Sequence, residues 1–171
     1  MNRTRKLTLC ALLISLALVL SYIERFIPLQ LAIPLPGIKL GLANIVSLIA
    51  LYLLGSRQAY TILALRCILG SVFGGSITGL LFSLTGGSLA MLVMALAKRL
   101  PFLSIYGVSV LGAAAHNIGQ ICAAMAIMQS VYIGAYLPYL LAISIATGLA
   151  TGAAGAGILR VLGRPDAPFV R

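Results

Sequence analysis

Acid is what this chain has least of. Two of its 171 residues are acidic, Glu24 and Asp166, against twelve Lys and Arg. Tryptophan is absent, and there is a single histidine, His116. Charged residues make up 8% of the chain, where a soluble domain carries roughly a quarter. So thin a charged skin cannot hold a domain in water. Hydrophobic residues reach 61% and the mean hydropathy is +1.13, so the solvent is lipid. The same shortage limits the chemistry. No pair of Asp-rich stretches exists to hold magnesium diphosphate, and magnesium sites are normally built from carboxylates. No Ser-His-Asp set is expected, with Asp166 in a polar tail and Glu24 at the outer end of the first apolar run. No G-x-x-x-x-G-K-[ST] stretch is present to cradle ATP. Cys10, Cys67 and Cys122 each lie inside an apolar run and fit no metal spacing. The expectation is a chain that is not an enzyme, with no catalytic residues, no cofactor and no metal, borrowing its energy from elsewhere.

Apolar runs are what the sequence has in plenty. A membrane-spanning helix takes roughly 20 apolar residues, and six fit in one domain over residues 1–171. They are expected at about 7–23, 40–54, 59–73, 77–97, 104–129 and 135–162, the fourth interrupted by Gly86-Gly87. The first run is too long for a secretory h-region and no small-x-small cleavage site follows, so it reads as a retained helix. Between the first two spans, Pro28, Pro34 and Pro36 exclude helix and leave a long apolar loop, expected to fold back over the protein.

The basic residues orient the chain. With six spans both termini share a side, which holds Arg3, Arg5, Lys6, Arg57, Lys98, Arg99, Arg160, Arg164 and Arg171. The opposite side holds Arg25 and Lys39. Cytoplasmic loops carry the excess of Lys and Arg, so both termini are expected to be cytoplasmic. This pattern punctuates apolar runs and does not form the polar basic surface of a nucleic-acid binder.

Polar residues inside the spans are few. A charge at the bilayer centre costs at least ~2.5 kcal/mol, which makes each a functional candidate. Arg66 lies mid-way along the third span. His116, Asn117 and Gln120 lie mid-way along the fifth, with His116 and Gln120 on one face. Asn44 sits one turn into the second span and Lys39 just before it. These six residues are the expected ligand site, Arg66 and Lys39 facing an anionic group. A structural reading stays open: Arg66 could pair with Glu24, and the amides could tie helices together. Small residues at spacing four (Ser144, Gly148, Gly152 and Ala156; Gly112, then Ala115, Gly119 and Ala123) are expected to be packing seams. The first span carries a similar face, Ala11-x-x-x-Ser15.

The stretch Pro36-Gly37-Ile38-Lys39-Leu40-Gly41-Leu42-Ala43-Asn44 resembles the Gx transporter family, also called heptaprenyl diphosphate synthase component I. The stretches that begin at Arg66 and Leu84, and His116-Asn117-x-x-Gln120, resemble it too. The likeness spans essentially the whole chain. It implies an all-α, six-helix bundle similar to the substrate-binding S components of energy-coupling factor transporters. Such a protein sits multi-pass in the cell's inner (plasma) membrane and captures a small nutrient such as a vitamin, flavin or quinone precursor. It docks through a small-residue face, here Ala11 and Ser15, to a transmembrane T component with ATPases. The alternative that the family name implies is a non-catalytic membrane accessory subunit of heptaprenyl diphosphate or quinone biosynthesis.

Overall fold

The computed structural model describes residues 2–26, 41–74 and 77–162. Among these, all regular structure is helical, in six α-helices: α1 (Arg3–Ile23), α2 (Asn44–Leu53), α3 (Ser56–Gly74), α4 (Ile77–Ala97), α5 (Ile105–Met128) and α6 (Leu137–Val161). A 3₁₀ turn follows α1 at Glu24–Phe26, and another, Val131–Tyr136, leads into α6. The expected loop over residues 27–40, with Lys39, and the tail from Gly163 lie outside the described residues.

Among the described residues, four helices are long and apolar enough to cross a membrane: Arg3–Ile23, Ile77–Ala97, Ile105–Met128 and the combined Val131–Val161. This fits a multi-pass membrane protein. The other two depart from the expected six spans for separate reasons. α3 has the length, but Arg57, Gln58 and Arg66 dilute its apolar character. α2 is ten residues long, about 15 Å of helix, half of a hydrocarbon core of about 30 Å. It was expected from residue 40. It starts at Asn44 instead, because Gly41 takes a left-handed φ of +84° and turns the chain. Asn44 therefore opens the helix; it does not sit one turn in.

α2 carries no charge, and Val46 through Leu51 are all buried, Ser47 among them, as befits an interior helix. It is enclosed by α1, α3, α4 and α6. Its far end is capped by Lys98, which follows α4: the ammonium donates to the Leu51 carbonyl at 2.9 Å and lies 4.6 Å over the Tyr52 ring. A cation suits the negative end of a helix.

α5 forms the spine, packed chiefly on α4 and α6. The small-residue stripes make this possible. A Cβ on Gly148 would lie 2.5 Å from the Val110 Cα, and one on Gly119 would lie 2.8 Å from the Gly86 Cα. The stripes are thus backbone-to-backbone seams, as expected for apolar bundles. Gly86-Gly87 does not interrupt α4, which runs unbroken from Ile77 to Ala97. The pair lets α3 and α5 approach; it does not break the helix. α1 lies at the edge with only Leu13 and Ala17 buried, and Ala11 and Ser15 are exposed on it.

Candidate functional site

The start of α2 brings together polar groups from α2, α3, α5 and the end of α1, with glycines of α4 beside them. Glu24, just past α1, is 4% exposed. It lies at the end of the first apolar run, as expected, but buried in the 3₁₀ turn that follows α1. Its Oε1 accepts from the backbone N–H of Gly41, and from that of Leu42 at 3.4 Å. The carboxylate thus sits at the positive, N-terminal end of α2.

Arg66, buried mid-way along α3, donates from Nη2 to Asn44 Oδ1 at 3.3 Å. The charges of Arg66 and Glu24 act on one another. α4 supplies the floor. A Cβ on Gly87 would lie 3.6 Å from Arg66 Nη2, and one on Gly86 would lie 2.9 Å from His116 Nδ1. Arg66 and His116 therefore border successive residues of one helix. On α5, Gln120 and His116 join side chain to side chain through Nε2 atoms 2.5 Å apart. Gly41 closes the circle: a Cβ there would lie 2.8 Å from Asn44 Nδ2 and 2.9 Å from His116 Cδ2. A side chain would not fit, and the positive φ favours glycine independently.

Asn44, Arg66, His116 and Gln120 are thus brought to one place, while Asn117 is not. One residue further round α5, it donates from Nδ2 to the Leu140 carbonyl of α6 at 2.9 Å. Lys39 lies outside the described residues. Three members were not on the expected list. Glu24 carried a signal, as the one acid within the apolar part of the chain. Ser47 carried a weaker one, one turn along from Asn44. Gly41 carried one only in hindsight of its φ.

Most polar groups here have partners, but three atoms do not. Arg66 Nε, Asn44 Nδ2 and Ser47 Oγ are buried with no hydrogen-bond partner among the described residues. Leaving a buried donor unmatched costs about 1–3 kcal/mol. Asn44 and Arg66, which carry two of these atoms, are in contact with one another, and Ser47 lies one turn along α2. Among the described residues no three His, Cys, Asp or Glu side chains gather as a metal site would require.

A separate feature is an open groove of about 620 Å³ on the side of the bundle, lined by Tyr60, Ser88, Leu92, Gly119, Cys122 and Ala126 among others. Its lining is almost wholly apolar and it holds no charged side chain.

Neither the curated proteins nor the solved structures give a match to this chain. A family model does, over residues 13–158, from within α1 to within α6. That stretch contains every residue of the cluster at the start of α2, and the chain belongs to the heptaprenyl diphosphate synthase component I family.

Proposed function

We propose that the chain is a membrane-embedded binding subunit that holds a small ligand at the start of α2 and catalyses nothing itself. The observation that carries this reading is the trio of buried, unmatched polar atoms on Arg66, Asn44 and Ser47. Buried polar groups inside an apolar bundle are expensive. A purely structural cluster would be selected to satisfy them. The ligand site comprises Asn44, Ser47 and Arg66, flanked by His116 and Gln120, with Lys39 a further contact from the loop.

In this reading the protein sits multi-pass in the plasma membrane with both termini cytoplasmic, as the distribution of Lys and Arg favours. It takes up a nutrient, energised by a T component and its ATPases. The exposed Ala11 and Ser15 on lightly packed α1 suit a docking face. The test is a thermal-shift screen of the purified chain against vitamins, flavins, quinone precursors and metal ions. A true ligand raises stability by RT ln(1 + [L]/Kd). Arg66→Ala and Asn44→Ala should each remove that gain; a gain that survives both places the ligand elsewhere.

Family membership favours a second reading. The words "component I" imply a partner component, and the chain would then be the membrane anchor or accessory of a prenyl diphosphate synthase. A pull-down from native membranes separates the two. Recovery of a soluble synthase without any ATPase would sink the transport reading. Recovery of ATPases with a small membrane protein would sink the accessory one.

A further inference from the structure

We propose that the open groove along α4 and α5 is a lipid site, holding one chain of an anionic phospholipid whose phosphate rests on Arg57 and Arg99. It uses none of the residues of the cluster at the start of α2, so it stands or falls apart from the binding role above.

The lining of the groove is regular. α4 supplies Thr85, Ser88, Leu89 and Leu92, the i, i+3, i+4, i+7 spacing of one helix face, and α5 repeats that spacing from Gly119 to Ala126. The two helices run antiparallel, with Gly119 against Gly86 and Gly112 against Met94. The two lined faces therefore meet near Gly119 and extend in opposite directions, to Leu92 and to Ala126. Each adds about 10 Å of helix rise, giving a groove about 20 Å long. The chain of a lipid in one leaflet needs about 15 Å, half of the hydrocarbon core.

The occupant is argued from charge at the mouth of the groove. On α3, Arg57 stands one turn before Tyr60, which lines the groove. On α4, Arg99 stands two turns beyond Leu92, on the same face. The Lys98 N–H to Met94 carbonyl and Arg99 N–H to Leu96 carbonyl bonds carry the helical turn past Ala97. Leu96, exposed between Leu92 and Arg99, continues the apolar path. Both arginines are exposed and belong to one end of the bundle, because Lys98 bonds to Leu51 near the end of α2 and α3 follows α2 directly.

An apolar groove without charge thus opens under two cations, the complement of a lipid with an anionic head. Guanidinium forks match phosphate oxygens, and their long stems carry charge to headgroup level. Acids are too few to cancel them. Glu24 is held at the other end of α2. Asp166 is one carboxylate against two arginines, in a stretch that brings Arg164 and Arg171 with it. A zwitterionic lipid fits the groove equally well but gains less at the mouth.

The chain has no tryptophan, so Leu92→Trp places a single fluorophore in the groove for the test. The full chain is reconstituted in phosphatidylcholine vesicles with rising fractions of chain-brominated phosphatidylglycerol or chain-brominated phosphatidylcholine. Bromine quenches a tryptophan that it touches. The brominated phosphatidylglycerol should quench at roughly twentyfold lower mole fraction. Arg57→Gln and Arg99→Gln should each remove about fivefold of that preference, and together abolish it. Arg3→Gln with Arg5→Gln should leave it unchanged, because among the described residues α1 packs on α2 and α3, away from α4 and α5.

Equal quenching by the two lipids overturns the proposal, since the groove then meets bulk lipid alone. Absence of quenching by either overturns it too. So does a preference that survives the double arginine variant, or one that the α1 variant removes as fully. Glycerol 3-phosphate in the buffer should leave the quenching unchanged; relief by it makes the occupant a free phosphate and overturns the lipid. If Leu92→Trp does not fold, Cys122→Trp, at an exposed position on the α5 side of the groove, replaces it and the same outcomes decide.

Discussion

Two polar regions of this bundle solve the same problem in opposite ways. Along the α5–α6 seam, Asn117 donates to the Leu140 carbonyl and Ser109 meets Thr151 at 2.7 Å. Gly148 and Gly152 let the backbones close around these bonds. At the start of α2, Arg66, Asn44 and Ser47 each keep an atom without a partner among the described residues. In the seam polarity holds helices together. At α2 it carries the proposed ligand site. The contrast shows that residue type alone does not assign a role: Asn44 and Asn117 are the same amide, and only their partners separate site from glue.

The sharpest way to break this comparison is Arg66→Ala. It strips Asn44 Oδ1 of its donor and should cost about 1–3 kcal/mol, read as a fall in melting temperature. Arg66→Met keeps an apolar stem in place of the buried guanidinium and should recover part of that loss. It should fold and bind nothing. If it binds ligand as the wild type does, the site has been misplaced.

Next comes Gly148→Val in the seam. A Cβ there meets backbone at 2.5 Å, and overpacking against backbone should cost about 3 kcal/mol. The loss should appear as reduced melting temperature with ligand affinity preserved in whatever fraction folds. Asn117→Ala should cost about 1 kcal/mol and leave ligand stabilisation intact, unlike Asn44→Ala. Equal effects of the two on binding would erase the distinction between the regions. Ser109→Ala should cost about 0.6 kcal/mol, the usual worth of a hydrogen bond between helices in lipid.

The smallest effect concerns pH. Partial burial holds the Lys98 ammonium below its ordinary value of 10.5. The folded chain therefore releases this proton at lower pH than the unfolded chain. The associated stability is present above pH 10.5 and is lost as pH falls through the folded value. Lys98→Met should flatten that part of the melting-temperature profile.

The helices were legible because apolar runs and their polar punctuation are local properties. α4 and the ends of α1 and α5 fall within a few residues of where hydrophobicity places them. Three things were not. Gly86-Gly87 reads equally as a helix break or a close approach, and only α5 lying against it decides. The length of α2 depends on the φ of Gly41, which no hydropathy pattern encodes. The burial of Glu24 depends on where the chain returns after residue 40, a tertiary matter that made an apparent surface acid an interior one.

α2 is moored at both ends by charges that belong to other helices. Glu24, on the end of α1, grips the turn that opens it, and Lys98, on the end of α4, grips its closing carbonyl. The rod between them is short, apolar and free of any charge of its own. It cannot slide along its axis without releasing one of those two anchors. Of the helices bearing them, α1 is the one with most of its surface outside the core. A shift of α1 against the bundle is therefore felt first at the Gly41 turn, where Asn44 and His116 stand.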